Sequence, residues 1–209
     1  MGIVVENVSL IIDKKSILKN INLNLAEGKI YGIIGRNGSG KTMLLKAISG
    51  LIFPTEGVIE IDGKTLGVDM EFPEDMGILI ENPSFVGNMS AQKNLMDLVS
   101  IRNKVGIKDV NRILEVIGLE AKSKKKFRNF SLGMKQKLGI AAALVEKPAL
   151  ILLDEPTNAL DEKSVMKLRE ILNRRREEGA LIIIASHDKD EMALLCDEIY
   201  LVDDGRVRG

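Results

Sequence analysis

The eight residues Gly35-Arg36-Asn37-Gly38-Ser39-Gly40-Lys41-Thr42 satisfy G-x-x-x-x-G-K-[ST] at every fixed position, and the apolar run Ile30–Ile34 leads into them. That pairing leaves the fold little freedom: a buried strand must deliver the chain to a glycine-rich turn, and a helix must leave it. Glycines let the backbone curl so that successive N–H groups point at one anion, where side chains would obstruct the approach. Lys41 adds a point charge and Thr42 a hydroxyl suited to Mg²⁺. A helix expected over residues 41–50 aims its positive end at the same spot. The plain alternative is a glycine-rich turn without ligand, and the strand and helix flanks count against it. The segment predicts binding of a nucleoside triphosphate.

A chain of 209 residues can bury a sizeable core without a disulfide or metal staple. The single cysteine, Cys196, follows Met192-Ala193-Leu194-Leu195 and reads as a small core residue in a reducing compartment rather than as a nucleophile. Lys plus Arg and Asp plus Glu balance at 30 each, which argues against a global attraction to nucleic acid or anionic lipid. The densest basic run, residues 122–128, holds one aromatic, Phe127, and reads as a solvated linker. Apolar runs such as 140–145 and 180–185 fall well short of the ~20 residues that span a bilayer. No signal peptide precedes Ile3, and Glu6 stands where a myristoylated chain needs Ser or Thr, so a cytoplasmic protein without its own membrane anchor is expected.

Along the chain, Ile21, Leu23 and Leu25 alternate with Asn22 and Asn24, the period of a half-buried strand. Residues 58–61 read as a strand entering a hairpin turn at Asp62-Gly63, and 77–80 as another short strand. Between 82 and 147 the texture becomes helical, with Val110, Ile113, Leu114 and Ile117 at i, i+3, i+4 and i+7 and Gly118 placed to end that helix. Apolar strands return at 149–153, 180–184 and 199–202, with a helix around 163–178 and a turn at Asp203-Asp204-Gly205. The expected fold is α/β: a P-loop NTPase core with a mostly parallel sheet, an N-terminal antiparallel β subdomain and an inserted helical subdomain. Residues 1–81 and 148–209 are assigned to the core and β subdomain, and 82–147 to the insertion. Without internal repeats, anything beyond one catalytic core is expected from another polypeptide or from residues absent here.

The apolar strand that reaches Leu153 ends in Asp154-Glu155, at the edge where open α/β sheets bind ligands. Asp154 suits a Mg²⁺ ligand opposite Thr42, and Glu155 a group that polarises water for in-line attack on a γ-phosphate. Two solvated loop acids would be the plain alternative.

The stretch Phe130-Ser131-Leu132-Gly133-Met134-Lys135-Gln136 resembles the signature motif of ABC ATPases, commonly Leu-Ser-Gly-Gly-Gln. Ser131 and Gly133 match, whereas Leu132 and Met134 replace the first glycine and the glutamine. Taken alone, Ser131 is an ordinary helix N-cap, for a helix expected over 134–144. Asn158-Ala159-Leu160-Asp161 resembles the D-loop, and Ser186-His187-Asp188 the switch histidine of the same family. With all motifs in order over essentially the whole chain, the sequence is identified as a member. The resemblance implies ATP and Mg²⁺ as cofactors. It implies nucleotide contacts at Ile12, Asn37, Gly38, Ser39, Gly40, Lys41, Thr42, Met43, Ser131, Gly133 and Asp161, and metal contacts at Thr42, Glu81 and Asp154. Catalytic roles fall to Glu155, His187 and Glu81. Two positions depart from the pattern. Glu81 stands where the Q-loop begins with glutamine, so a steeper Mg²⁺ dependence is expected. Ile12 stands where an aromatic stacks on adenine, and no Tyr, Phe or Trp precedes Tyr31, so weak base selectivity is expected.

The resemblance also implies a head-to-tail dimer, with itself or a paralogous subunit, in which Ser131 and Gly133 of one copy cover nucleotide held by Lys41 of the other. A separate integral membrane permease would dock near Pro83, Ser84, Phe85 and Val86, holding the protein on the inner face of the cell membrane; Phe85 serves equally well as internal packing. Glu81 together with Ser-Leu-Gly-Met-Lys-Gln resembles bacterial exporter ATPases associated with bacitracin and lantibiotic resistance. Two other readings compete: a soluble ABC ATPase acting as a mechanical or assembly module, and a P-loop kinase. The first lacks a second cassette or a long coiled coil, and the second leaves Glu155 and the signature region without a role. No nucleic-acid partner is expected.

Overall fold

Strands that are apolar on both faces need cover on both sides, and this requirement sets the layers. The computed structural model describes residues 1–208. β1 (Gly2–Ile12) and β2 (Lys15–Ala26) form an antiparallel hairpin around Asp13 and Lys14, both at positive φ as a two-residue hairpin turn demands. β4 (Glu56–Ile61) pairs with β1, and β5 (Lys64–Thr65) with β4 across the expected Asp62-Gly63 turn, completing an antiparallel sheet. The second sheet runs in the order β10 (Arg206–Arg208), β9 (Glu198–Asp203), β3 (Ile30–Ile34), β8 (Leu181–Ser186), β7 (Leu150–Asp154), β6 (Met76–Leu79). All are parallel except β10.

Among the described residues there are six helices: α1 (Lys41–Ile48), α2 (Ala91–Ser100), α3 (Ile107–Val116), α4 (Leu132–Leu144), α5 (Glu162–Glu177) and α6 (Lys189–Leu195). The two-residue period of a strand divides β7 between two cores. Leu150 and Leu152 join the core shared with α1 and the antiparallel sheet, while Ile151 and Leu153 join the one shared with α2 to α6. Each is fully buried, which stabilises by roughly 1.5–3 kcal/mol per side chain relative to exposure. Because β3, β8, β7 and β6 are parallel, the segments that follow them gather on one edge. β8 lies between β3 and β7, so Ser186 and His187 emerge between the phosphate loop and the paired carboxylates.

The helices within residues 82–147 do not all pack alike. α2 and α3 lie within 82–147, and Val110, Leu114 and Ile117 are buried as their spacing predicts. α4 also falls within those limits, yet it packs directly on β6: the Cα of Gly139 faces Leu79 and Pro83, and Gly77 abuts the carbonyl of Ala143. One apolar cluster runs from Leu95 and Leu114 through Leu138 to Ile151 and Ile184. Sequence texture reports that α4 is helical; only packing reports which layer it joins. α2 and α6, absent from the periodicity reading, are short and start at side-chain caps, Ser90 and Asp188. Lys122, Lys124, Lys125 and Lys126 are exposed as a solvated linker should be, while Phe127 is buried. Cys196 is half-buried against the core, and burial pushes its thiol up to about 12, which makes it an inert packing residue. Among the described residues no helix is long and apolar enough to cross a membrane.

A Cβ added at Gly77 would lie 1.8 Å from the Ala143 carbonyl oxygen, whereas one at Gly106 meets nothing within 4 Å. Gly77→Ala is therefore expected to destabilise by about 3 kcal/mol or more and Gly106→Ala by no more than about 0.5 kcal/mol, read by urea unfolding.

Candidate nucleotide-binding and hydrolysis site

The turn between β3 and α1 has the backbone its glycines suggest. Gly38 sits at φ 79° in open space, and Gly40 at φ 114° forms the N-cap of α1 with no side chain bonding the first turn. The leading N–H groups of α1 thus have no side-chain acceptor, the arrangement that binds anions. A side chain at Gly35 would strike the Val202 carbonyl at 2.2 Å, so only glycine lets β9 approach the loop. Ser39 Oγ is buried without a hydrogen-bond partner. An orphaned donor inside a cradle of free N–H groups fits a phosphate ligand.

Lys41 is only 6% exposed. Its Nζ donates to the carbonyls of Gly35 (2.8 Å) and Arg36 (3.3 Å) and lies 3.7 Å from Glu155 Oε1. A buried ammonium has to be paired, and phosphate oxygens can take over these contacts. The Thr42 hydroxyl donates to Asp154 Oδ2 at 2.6 Å. Burial pushes the Asp154 carboxyl above the usual aspartate range; the Thr42 hydrogen bond opposes this, Glu155 adds to it, and Lys41 and Glu81 contribute less, in opposite directions. Among the described residues no group of three or more His, Cys, Asp or Glu could hold a metal unaided. One hydroxyl and one carboxylate beside a phosphate cradle suit Mg²⁺, which takes few protein ligands and completes its shell with phosphate and water.

Glu155 leaves β7 at φ 46°, a left-handed conformation uncommon for a residue with a side chain, while its N–H still donates to Ala185 O at 2.8 Å. Its Oε2 accepts from the Ser186 hydroxyl (3.2 Å) and lies 2.9 Å from His187 Nδ1. The Gln136 amide, from the first turns of α4, donates to the carbonyls of Glu155 (3.1 Å) and Pro156 (3.3 Å). A cleft of about 430 Å³ runs from Ile17 past Asn37, Gly38, Gly40, Lys41, Thr42 and Met43 to Asp154 and Glu155. A second hollow of about 290 Å³ opens from the same two acids to Glu81, Asn82, Gln136 and Asn158.

Of the residues singled out in the sequence, the loop from Asn37 to Met43, Asp154, Glu155, Glu81 and His187 therefore converge. Ile12 does not line the cleft; Ile17 does. Ile12 pairs with Lys15 at the tip of the β1–β2 hairpin, and both isoleucines pack on the antiparallel-sheet core. Ser131 and Gly133 stand outside the cleft. Ser131 caps α4 through Met134 N (3.3 Å), and a Cβ at Gly133 would lie 2.6 Å from Ala159 O. Asp161 caps α5, accepting from the Ser164 amide and hydroxyl, which hold its carboxyl below the usual range. Sequence reasoning missed Gln136, Ser186 and Ile17 as contributors. It also missed Lys46, although Lys46 follows Thr42 by four residues and so shares its helix face.

The ABC transporter family profile matches residues 18–158. An uncharacterized ABC transporter ATP-binding protein of Bacillus subtilis (strain 168), YybJ, is 45% identical over 96% of this chain and 92% of its own length. The bacitracin transport ATP-binding protein BcrA of Enterococcus faecalis is 37% identical over 97% of the chain, which spans 66% of that longer protein. The lantibiotic transport ATP-binding protein SrtF of Streptococcus pyogenes is 37% identical over 97% of the chain and 87% of its own length. Among solved structures, the ATP-binding cassette MJ0796, in a dimeric post-hydrolysis state bound to ADP and Pi, superposes with a TM-score of 0.87 at 27% identity, covering 99% of this chain and 97% of that one. This chain belongs to the ABC transporter family, as an ATP-binding and ATP-hydrolysing subunit.

Asp154 is a desolvated charge among other carboxylates, so its replacement should relieve the ligand-free fold. Asp154→Asn is expected to raise unfolding stability by about 1 kcal/mol and to abolish Mg²⁺-dependent ATP hydrolysis. A destabilised variant in a thermal melt, or an active one, contradicts that assignment.

Proposed function

We propose that this chain drives a membrane exporter for a peptide antibiotic or similar cargo, working as one half of a dimer that ATP closes. The observation that carries the reading is a cleft that brings Lys41 and Glu155 together, with His187 reaching Glu155 from its rim, and from which Ser131 and Gly133 stand apart. Such a cleft supports half of a composite site.

The loop N–H groups and Lys41 bind the β- and γ-phosphates, and Ile17 gives the base an aliphatic wall. Thr42 and Asp154, with Glu81 nearby, would hold Mg²⁺, which would supply positive charge to offset that of the phosphates during γ-phosphoryl transfer. Glu155 orients the attacking water and accepts its proton; Ser186 and His187 hold that carboxylate in position. The capped N-terminus of α4 in a second copy, carrying Ser131 and Gly133, covers the γ-phosphate and completes the site. Asp161 acts here as a helix cap beside that interface, at 3.7 Å from Lys137.

Docking to a permease on the inner membrane face rests on the segment after Glu81. Phe85 is turned inward against Phe127, with ring centroids 5.4 Å apart, so Ser84 and the half-exposed Val86 form the outward contact. The export direction and cargo class rest on similarity to proteins named for bacitracin and lantibiotic transport.

Glu155→Gln is expected to retain ATP binding and to lose about 100-fold or more in hydrolysis. Tagged and loaded with ATP, it should recover one polytopic membrane protein from detergent-solubilised membranes, and lose it when Lys41 is also replaced. Recovery of soluble partners, ribosomes or nucleic acid alone would favour the assembly-module reading instead.

A further inference from the structure

The geometry points to Lys46 as a positioning residue for Glu81: Lys46 and the nucleotide-bound metal compete for the same carboxylate, and Lys46 thereby sets the Mg²⁺ requirement. The inference rests on Glu81 being a metal-facing residue. Lys46 lies on α1 one turn beyond Thr42, on the face that turns toward the metal ligands. Its ammonium contacts Glu81 Oε1 directly, its only ion pair among the described residues.

Glu81 leaves the sheet just after β6 at φ 63°, so its backbone direction is held in a sparsely populated region, as Glu155's is after β7. It borders the hollow that also takes in Asp154 and Glu155. Of these three carboxylates, Glu155 lies 3.7 Å from the Lys41 ammonium of the loop and Glu81 meets Lys46 of the helix. Mg²⁺ keeps several waters and accepts one or two protein carboxylates, so a third acid beside it and the phosphates needs another counter-charge. Lys46 supplies one. A glutamine at position 81 would leave Lys46 without a charged partner, so the pair belongs to the acidic form of this segment. The lysine side chain is 26% exposed and the glutamate 63%. An ion pair so open to water is weak and screened, which makes it a competitor for Glu81 and not a lock.

The test is the Mg²⁺ dependence of binding of a fluorescent ATP analogue, so that hydrolysis is not the readout. Wild type, Lys46→Met, Lys46→Arg, Glu81→Gln and the double variant Lys46→Met/Glu81→Gln are compared. Lys46→Met should lower the Mg²⁺ concentration for half-maximal binding about two- to fivefold, the range an exposed ion pair can supply. Lys46→Arg should behave as wild type, and Glu81→Gln should need more Mg²⁺. In the Glu81→Gln background Lys46→Met should have no further effect. An equal shift in both backgrounds would reduce Lys46 to a distant positive charge, and no shift in either would remove its role altogether; both overturn the inference. Wild-type protein that binds no nucleotide at any Mg²⁺ concentration would instead refute the nucleotide site itself.

Discussion

The buried ammonium of Lys41 is the charge around which this molecule is arranged. It can lie 6% exposed only because the loop presents two carbonyls to it and β7 delivers Glu155 alongside. Those contacts require β3 and β7 to end at the same level with β8 between them, and parallel pairing provides this: Ile34 registers with Ser186, and Asp154 with Ala185. The apolar faces of these strands in turn require helices on one side and α1 with the antiparallel sheet on the other. Site and layers follow from one constraint.

α4 joins the two halves of the proposed chemistry. Its N-cap is Ser131, its first turn presses Gly133 on the Ala159 carbonyl, and one turn later Gln136 holds the carbonyls of Glu155 and Pro156. In the proposed dimer, a displacement of the segment at Ser131 by a second copy would reach the backbone of Glu155 through a single helix. The same helix lies on β6, through Gly77 and Gly139, close to where the chain departs toward Glu81. Packing of this tightness moves as a unit and does not deform locally.

Much of this was legible in the sequence, for a physical reason. A parallel strand buried on both faces is a continuous apolar run, so residues 150–153 and 181–185 announce themselves, and a phosphate loop fixes both neighbours. Turn chemistry was equally readable at Asp62-Gly63. What escaped were choices made in three dimensions. Both Ile12 and Ile17 are aliphatic residues of the first hairpin, and only the turn at Asp13-Lys14 decides which faces the cleft. Gln136 stands within the signature stretch, but its amide finds the Glu155 loop only because α4 packs across β7. α6, at seven residues, carries too few turns for a periodic signal, and α2, though as long as α3, buries the polar Asn94 and exposes Leu98, which blurs its apolar stripe. Lys46 was within reach of the i, i+4 rule; nothing local, however, revealed that Glu81 lies opposite it.

The central claim is that one chain supplies half of a site that a second copy completes. Sedimentation of the Glu155→Gln chain with and without Mg-ATP, alongside the same chain carrying Ser131→Arg, tests it most directly. The account predicts a monomer that becomes a dimer with ATP, and a Ser131→Arg form that binds ATP with unchanged affinity yet stays monomeric. A chain that remains monomeric with saturating ATP, or a dimer indifferent to Ser131→Arg, would contradict it.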